Sequence, residues 1–235
     1  MVRWEKGDNH AFSKTECSEF AAARHAAHNL VWQTLLAGMK KHASPGWRFF
    51  RETSFGNLPF EFEWTDVQEA AEEVDRQPDG VAYHEASGAV FLLEFTRAMD
   101  HSHTMGDAIA RKGHQYDKAL LAFRRHQRHA NWNKRVAIKT LPFVFGVRGS
   151  VMTQDCEKNM QLVGVLNHNE ITRILTQGVR AAIRALQDMK LARSAALAVL
   201  RLEQDARSAA KKPTAKTTAA PAATFKKRKK TANKK

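Results

Sequence analysis

From Glu16 to His42 apolar residues recur every third or fourth position: Phe20, Ala23, Ala27, Leu30, Val31 and Leu35. That spacing puts them on one face of an amphipathic helix. Ser44-Pro45-Gly46 ends it. Trp47 to Thr53 is aromatic-rich and strand-like. Residues 56–76 hold PFEFEW and then the acidic DVQEAAEEVD, a short helix or solvated loop. Strands are expected at 78–84 and 89–96, with a Ser87-Gly88 turn between them. A helix is expected over 104–126, and a strand over 136–147 in which Pro142 marks a bend or strand start. Residues 169–207 read as one long helix or two.

The order of helix, strands, helix, strand and helices predicts an α/β fold. A mixed central sheet flanked by helices is expected. The crossover through 104–126 requires at least one parallel strand pair. Residues 1–15 read as a polar leader and 16–208 as one domain. Residues 209–235, rich in Lys, Ala, Pro and Thr, read as a disordered basic tail. No internal repeat is apparent.

Charge sharpens the picture. The 235-residue chain carries +14. The nine Lys and one Arg of residues 209–235, with no Asp or Glu among them, supply +10 of it. Such a chain favours a polyanion, with nucleic acid as the default partner. Lys226, Lys227, Arg228, Lys229 and Lys230 form a run of the nuclear-localisation type. No stretch has the ~20 apolar residues of a membrane span, and the first residues lack a secretory h-region. Cys17 and Cys156 lie far apart without CxxC spacing, as free thiols in a reducing compartment would.

The candidate chemistry sits in the two central strands. Pro78-Asp79-Gly80 opens the first, and Glu94 interrupts the apolar run from Val90 to Phe95 in the second. An ionised carboxylate in a buried strand is costly unless paired or bound to a cation. Two carboxylates on neighbouring strands could share one hard divalent ion, and Mg²⁺ or Mn²⁺ suits oxygen ligands. In the following helix Met105, Ala108, Ile109, Tyr116, Ala119, Leu120 and Phe123 form the apolar stripe, and Lys112 falls inside it. A lysine on that face either snorkels outward or points at the carboxylates. Arg97 suits a phosphate contact or a surface charge. Arg124 and Arg125 lie in a basic helix end that would line a DNA groove or face solvent. His101 and His103 lack a third ligand at convincing spacing. There is no P-loop, GxGxxG or Gly-x-Ser-x-Gly.

Pro78-Asp79, a hairpin spacer and Glu94, with a lysine-bearing helix next, resemble the PD-(D/E)xK nuclease superfamily over roughly Trp47 to Val147. Thr96 stands where the family pattern has lysine. In that superfamily the lysine sometimes migrates to the next helix, and ARKGHQY, with Lys112 and Tyr116, looks like that arrangement. This helix is similar to that of the endonuclease domains of site-specific non-LTR retrotransposons, and more loosely to the Gln-x-x-x-Tyr helix of RecB-like nucleases. The resemblance implies a restriction-endonuclease-like fold and metal-dependent hydrolysis of DNA; the Lys226–Lys230 run adds the expectation of a nuclear location. Asp79 and Glu94 would be metal ligands, with the Phe95 carbonyl as a third and Glu52 as a further candidate. Lys112 would orient the attacking water or neutralise developing charge, and Tyr116 would hold Lys112 or touch a phosphate. Two rival readings stay open: a degenerate nuclease fold that only binds DNA, favoured by Thr96, and a basic chromatin-type or ribosomal protein.

Overall fold

The computed structural model describes residues 14–129 and 137–211. Helix α1 (Lys14–His42) leads into strand β1 (Trp47–Arg51). Gly46, at φ +94°, makes the turn between them in a conformation that favours glycine. A 3-10 turn (Phe55–Asn57) and the short helix α2 (Val67–Glu73) precede β2 (Gly80–His84) and β3 (Ala89–Ala98). Helices α3 (Ser102–Gly113) and α4 (Asp117–His129) then cross to β4 (Ile138–Gly146). Helices α5 (Thr153–Leu162) and α6 (His168–Lys211) follow.

The four strands form one mixed sheet in the order β1-β2-β3-β4. The first two pairings are antiparallel and β3–β4 is parallel. The fold is therefore α/β, an open sheet flanked by helices. Alternation along β3 divides the core. Phe91, Leu93 and Phe95 join Trp32 and Leu35 of α1, Cys156 and Met160 of α5, and Ile171 and Ile174 of α6. Val90 and Leu92 face the other way, toward Tyr116, Leu120 and Phe123. Glu94 shares their parity. Buried on both faces over most of its length, β3 explains the apolar run that Glu94 interrupts.

Three boundaries differ from the sequence reading. The expected 104–126 helix is two helices, broken at His114–Tyr116, so Tyr116 is not one turn along the same helix from Lys112. Helix α5 was not anticipated, its apolar residues being few. Helix α6 is continuous and runs to Lys211, so residues 209–211 are helical rather than tail. Pro142 lies inside β4 and does not start it. It is tolerated because β4 is an edge strand, and its carbonyl accepts Asn159 Nδ2 at 2.7 Å. The chain divides into two compact units, Met1–Ser194 and Ala195–Lys235; the described part of the second is the distal length of α6. Residues 1–13 of the expected leader and 212–235 of the expected tail, including Lys226 to Lys230, lie outside the described residues. Among the described residues no helix is long and apolar enough to cross a membrane.

Candidate active site

The site forms where β2 ends and β3 continues. The last β2–β3 pair is Gly80 with Leu93. Beyond it, β3 has no strand on that edge, and its amides need other partners. Asp79 supplies one: its Oδ2 accepts the Phe95 N–H at 2.7 Å. Its own N–H donates to Glu94 Oε1 at 3.2 Å. The two carboxylates are thus tied together by backbone amides at the strand edge.

Helix α1 fixes the Asp79 turn from the opposite sheet face. Trp32 Nε1 donates to the Asp79 carbonyl at 2.7 Å. One turn earlier His28 Nε2 lies 3.4 Å from Asp79 Oδ1, with its ring edge-on to Phe95. Gly80 permits this approach, because a Cβ there would stand 2.9 Å from the Trp32 ring. Glu52 N–H also reaches the Asp79 carbonyl, at 3.3 Å.

Glu94 is almost fully buried, 1% exposed at the side chain. From α3, Lys112 Nζ reaches its Oε2 at 2.5 Å and is itself 18% exposed. A lysine inside an apolar stripe therefore points at the carboxylate rather than snorkelling away. Tyr116, in the turn after α3, is buried against Phe55. Its hydroxyl donates to the Gln77 carbonyl at 3.1 Å and accepts from Gln115 Nε2. It pins the residue that precedes Pro78-Asp79. Arg76 lies over its ring, 4.9 Å from the centroid.

The charges push the two acids apart. Burial raises Glu94 above the usual carboxylate range, and the Asp79 charge adds to this; the bond and charge of Lys112 oppose it without prevailing. Burial also works against Asp79, but hydrogen bonds from His28 and the Phe95 amide, with the charges of His28 and Lys112, outweigh it and hold Asp79 low. Burial and the nearby Glu94 charge raise the Tyr116 phenol, so it stays protonated at neutral pH. Two carboxylates with diverging proton affinities at one point mark a functional-site candidate.

Other candidates lie apart from this cluster. The Glu52 side chain is 42% exposed and lies 3.7 Å from Arg51; its residue adopts φ +45°. Arg97 is half-buried and donates to the Val147 carbonyl at 2.9 Å. Arg124 donates to the Ile138 carbonyl at 3.3 Å, and Arg125 to Thr65 Oγ1 at 2.6 Å. These three arginines already brace neighbouring segments. His101 precedes α3, and His103 pairs with Asp107 at its surface. Among the described residues no group of three or more His, Cys, Asp or Glu is arranged to hold a metal ion.

Sequence reasoning missed His28 and Trp32. Their spacing of four was visible in α1 beside the apolar stripe, but nothing local says that Trp32 meets the Pro-Asp turn 47 residues later. No protein-family model matches the chain, and no curated protein is similar enough to count as a relative.

Proposed function

We propose that the protein is a Mg²⁺- or Mn²⁺-dependent endodeoxyribonuclease of the PD-(D/E)xK type, with a restriction-endonuclease-like fold. The observation that carries this reading is the convergence of Asp79, Glu94 and Lys112, joined by 3.2 and 2.5 Å hydrogen bonds. Pro-Asp, a hairpin, Glu and then a helix that returns a lysine to the same carboxylate is the order of the migrated-lysine arrangement that the chain resembles. The alternative of chance acids in a basic protein gives no reason for all three to meet.

The donor set fits a hard divalent ion that keeps much of its water, rather than a closed protein cage. Burial and the Asp79 charge raise the proton affinity of Glu94, a deficit of positive charge that a cation would make good. Asp79 and Glu94 would hold it. The Phe95 carbonyl leaves β3 on the same edge as its N–H, the Asp79 side. The ion would supply a water of lowered pKa and polarise the scissile phosphate.

The chain's own residues do the rest. Lys112, now on Glu94, would offer an ammonium to the negative charge that gathers on the phosphate, or would orient the attacking water. His28 orients Asp79 through Oδ1, and Trp32 holds its backbone. Tyr116 keeps the Gln77–Asp79 turn against α3 as a protonated donor; it is neither base nor nucleophile. DNA as substrate and the nucleus as location rest on the +14 charge and the Lys226–Lys230 run.

One observation favours the rival, a metal-free DNA-binding descendant: Thr96 occupies the lysine position of the family pattern. Purified full-length chain incubated with supercoiled, linear and single-stranded DNA decides between them. Cutting with Mg²⁺ or Mn²⁺ and silence in chelator is expected. Binding with no cutting under any metal would leave the rival.

A further inference from the structure

A second site lies outside this cluster. Residues Phe55 to Asp75 contain seven carboxylates and no Lys, Arg or His. Within them, Phe60-Glu61-Phe62-Glu63-Trp64 alternates aromatic with acidic. The segment runs extended over α4 without pairing as a strand, and Glu63 N–H donates to the Ala122 carbonyl at 3.1 Å. Alternation turns the rings inward. Phe60 meets Phe123 edge-on at 5.3 Å, and Phe62 stacks on Trp64 at 5.4 Å. The rings do not fill the space they enclose. A cavity of about 310 Å³ remains, lined by Phe55, Leu58, Phe60, Phe62 and Trp64 with Glu61 at its wall. Phe60, Phe62 and Trp64 stay half-exposed.

Charge decides what suits it. Among the described residues, three cations near this segment are engaged: Lys118 with Glu72, Arg125 with Thr65 and Glu69, and Arg76 with Glu73. His126 approaches Glu61 at 3.9 Å, yet the Glu61 side chain is 84% exposed. Asp66 caps α2 by accepting the Glu69 N–H, and Asp75 is exposed. Glu61 is the acidic residue of the cavity lining, and among the described residues the seven carboxylates of this segment outnumber the cations paired with them. Aromatic faces are themselves attractive to cations, and an aliphatic stem carries a charged head past apolar walls. A nucleobase could stack on the same rings, but its phosphates would meet carboxylates.

We propose that this aromatic pocket binds a long cationic side chain of a lysine- and arginine-rich peptide. The inference does not depend on the nuclease reading. It has a built-in control: on a chain of +14, non-specific attraction works against a basic peptide, so binding must come from a local acidic patch.

The test is fluorescence anisotropy with the full chain and a labelled peptide of alternating lysine and alanine, beside its glutamate counterpart. Saturable binding of the lysine peptide alone is expected, weakening as salt rises. Glu61→Lys, at an exposed position that leaves packing intact, should weaken it by about 10-fold or more. Trp64→Leu should do the same, with circular dichroism checking its fold. No saturable binding to the wild type, or unchanged binding in Glu61→Lys, overturns the proposal. So does a labelled single-stranded oligonucleotide that loses affinity in Trp64→Leu while the lysine peptide never binds, since the pocket would then stack bases.

Discussion

Asp79 takes over the edge of β3 that β2 leaves bare, and through its amide it holds Glu94 Oε1 at 3.2 Å. This one relationship makes the proposed site. It ties the acid just before β2 to the acid within β3.

The opposite displacements of the two acids predict separate pH windows in chelator. The folded state holds the Glu94 proton more tightly than the unfolded chain does. Stability should therefore fall as pH rises from about 4.5 through the higher folded value. Glu94→Gln cannot titrate, so the stability of wild type relative to the variant should decline across that window. Asp79 acts the other way: its contribution is present above its ordinary value and fades as pH falls through the lower folded value. Urea midpoints of wild type, Glu94→Gln and Asp79→Asn from pH 3 to 7.5 would check both signs.

Much of this arrangement could be read in the residues. Glu94 stands out because a charge in an otherwise apolar run demands a partner. Lys112 stands out because a helix stripe has no other use for an ammonium. Helix α1, β3 and the parallel β3–β4 pair followed from periodicity and crossover length. What was not legible is long-range: that α1 brings His28 and Trp32 to Asp79 depends on tertiary packing. The break at His114–Tyr116 was hidden because Lys112 and Tyr116 are spaced as in a continuous helix. Arg97, Arg124 and Arg125 looked available for phosphates, yet their bonds to Val147, Ile138 and Thr65 cross from one element to another.

His28 should matter more to activity than to stability. It is 28% exposed beside Asp79, so His28→Ala removes one orienting contact at modest cost to packing. A fall of about 10-fold or more in cleavage rate is expected, with the melting temperature nearly unchanged. A large drop in melting temperature would recast His28 as a structural residue.

Trp32→Phe should show the reverse pattern. The indole is buried and donates to the Asp79 carbonyl. Losing that donor leaves the carbonyl with the 3.3 Å Glu52 N–H alone and costs about 1 kcal/mol, measurable by urea denaturation. Retained stability would mean that water replaces the indole there.

Thr96→Lys tests whether the lysine has moved. Thr96 lies two residues past Glu94, on the same sheet face. If Lys112 fills the role, the substitution should bring little or no gain, while Lys112→Ala should abolish cutting and Thr96→Lys in that background should restore part of it. Cutting seen only once Thr96 is lysine would mark a degenerate nuclease.

Residues 212–235 carry much of the chain's positive charge. Removing them should weaken non-specific DNA binding and flatten its salt dependence, with the Mg²⁺-dependent cleavage chemistry retained at saturating DNA.

The most direct measurement is the strand-scission rate at saturating DNA and Mn²⁺ for wild type, Asp79→Ala, Glu94→Ala and Lys112→Ala side by side, with DNA affinity measured on the same preparations. The account predicts metal-dependent cutting by wild type and losses of about 100-fold or more in each variant, while affinity barely changes because one lysine among 38 basic residues adds little to the field. Full-rate cutting by Asp79→Ala or Glu94→Ala, or no cutting by wild type with any divalent ion, would contradict it.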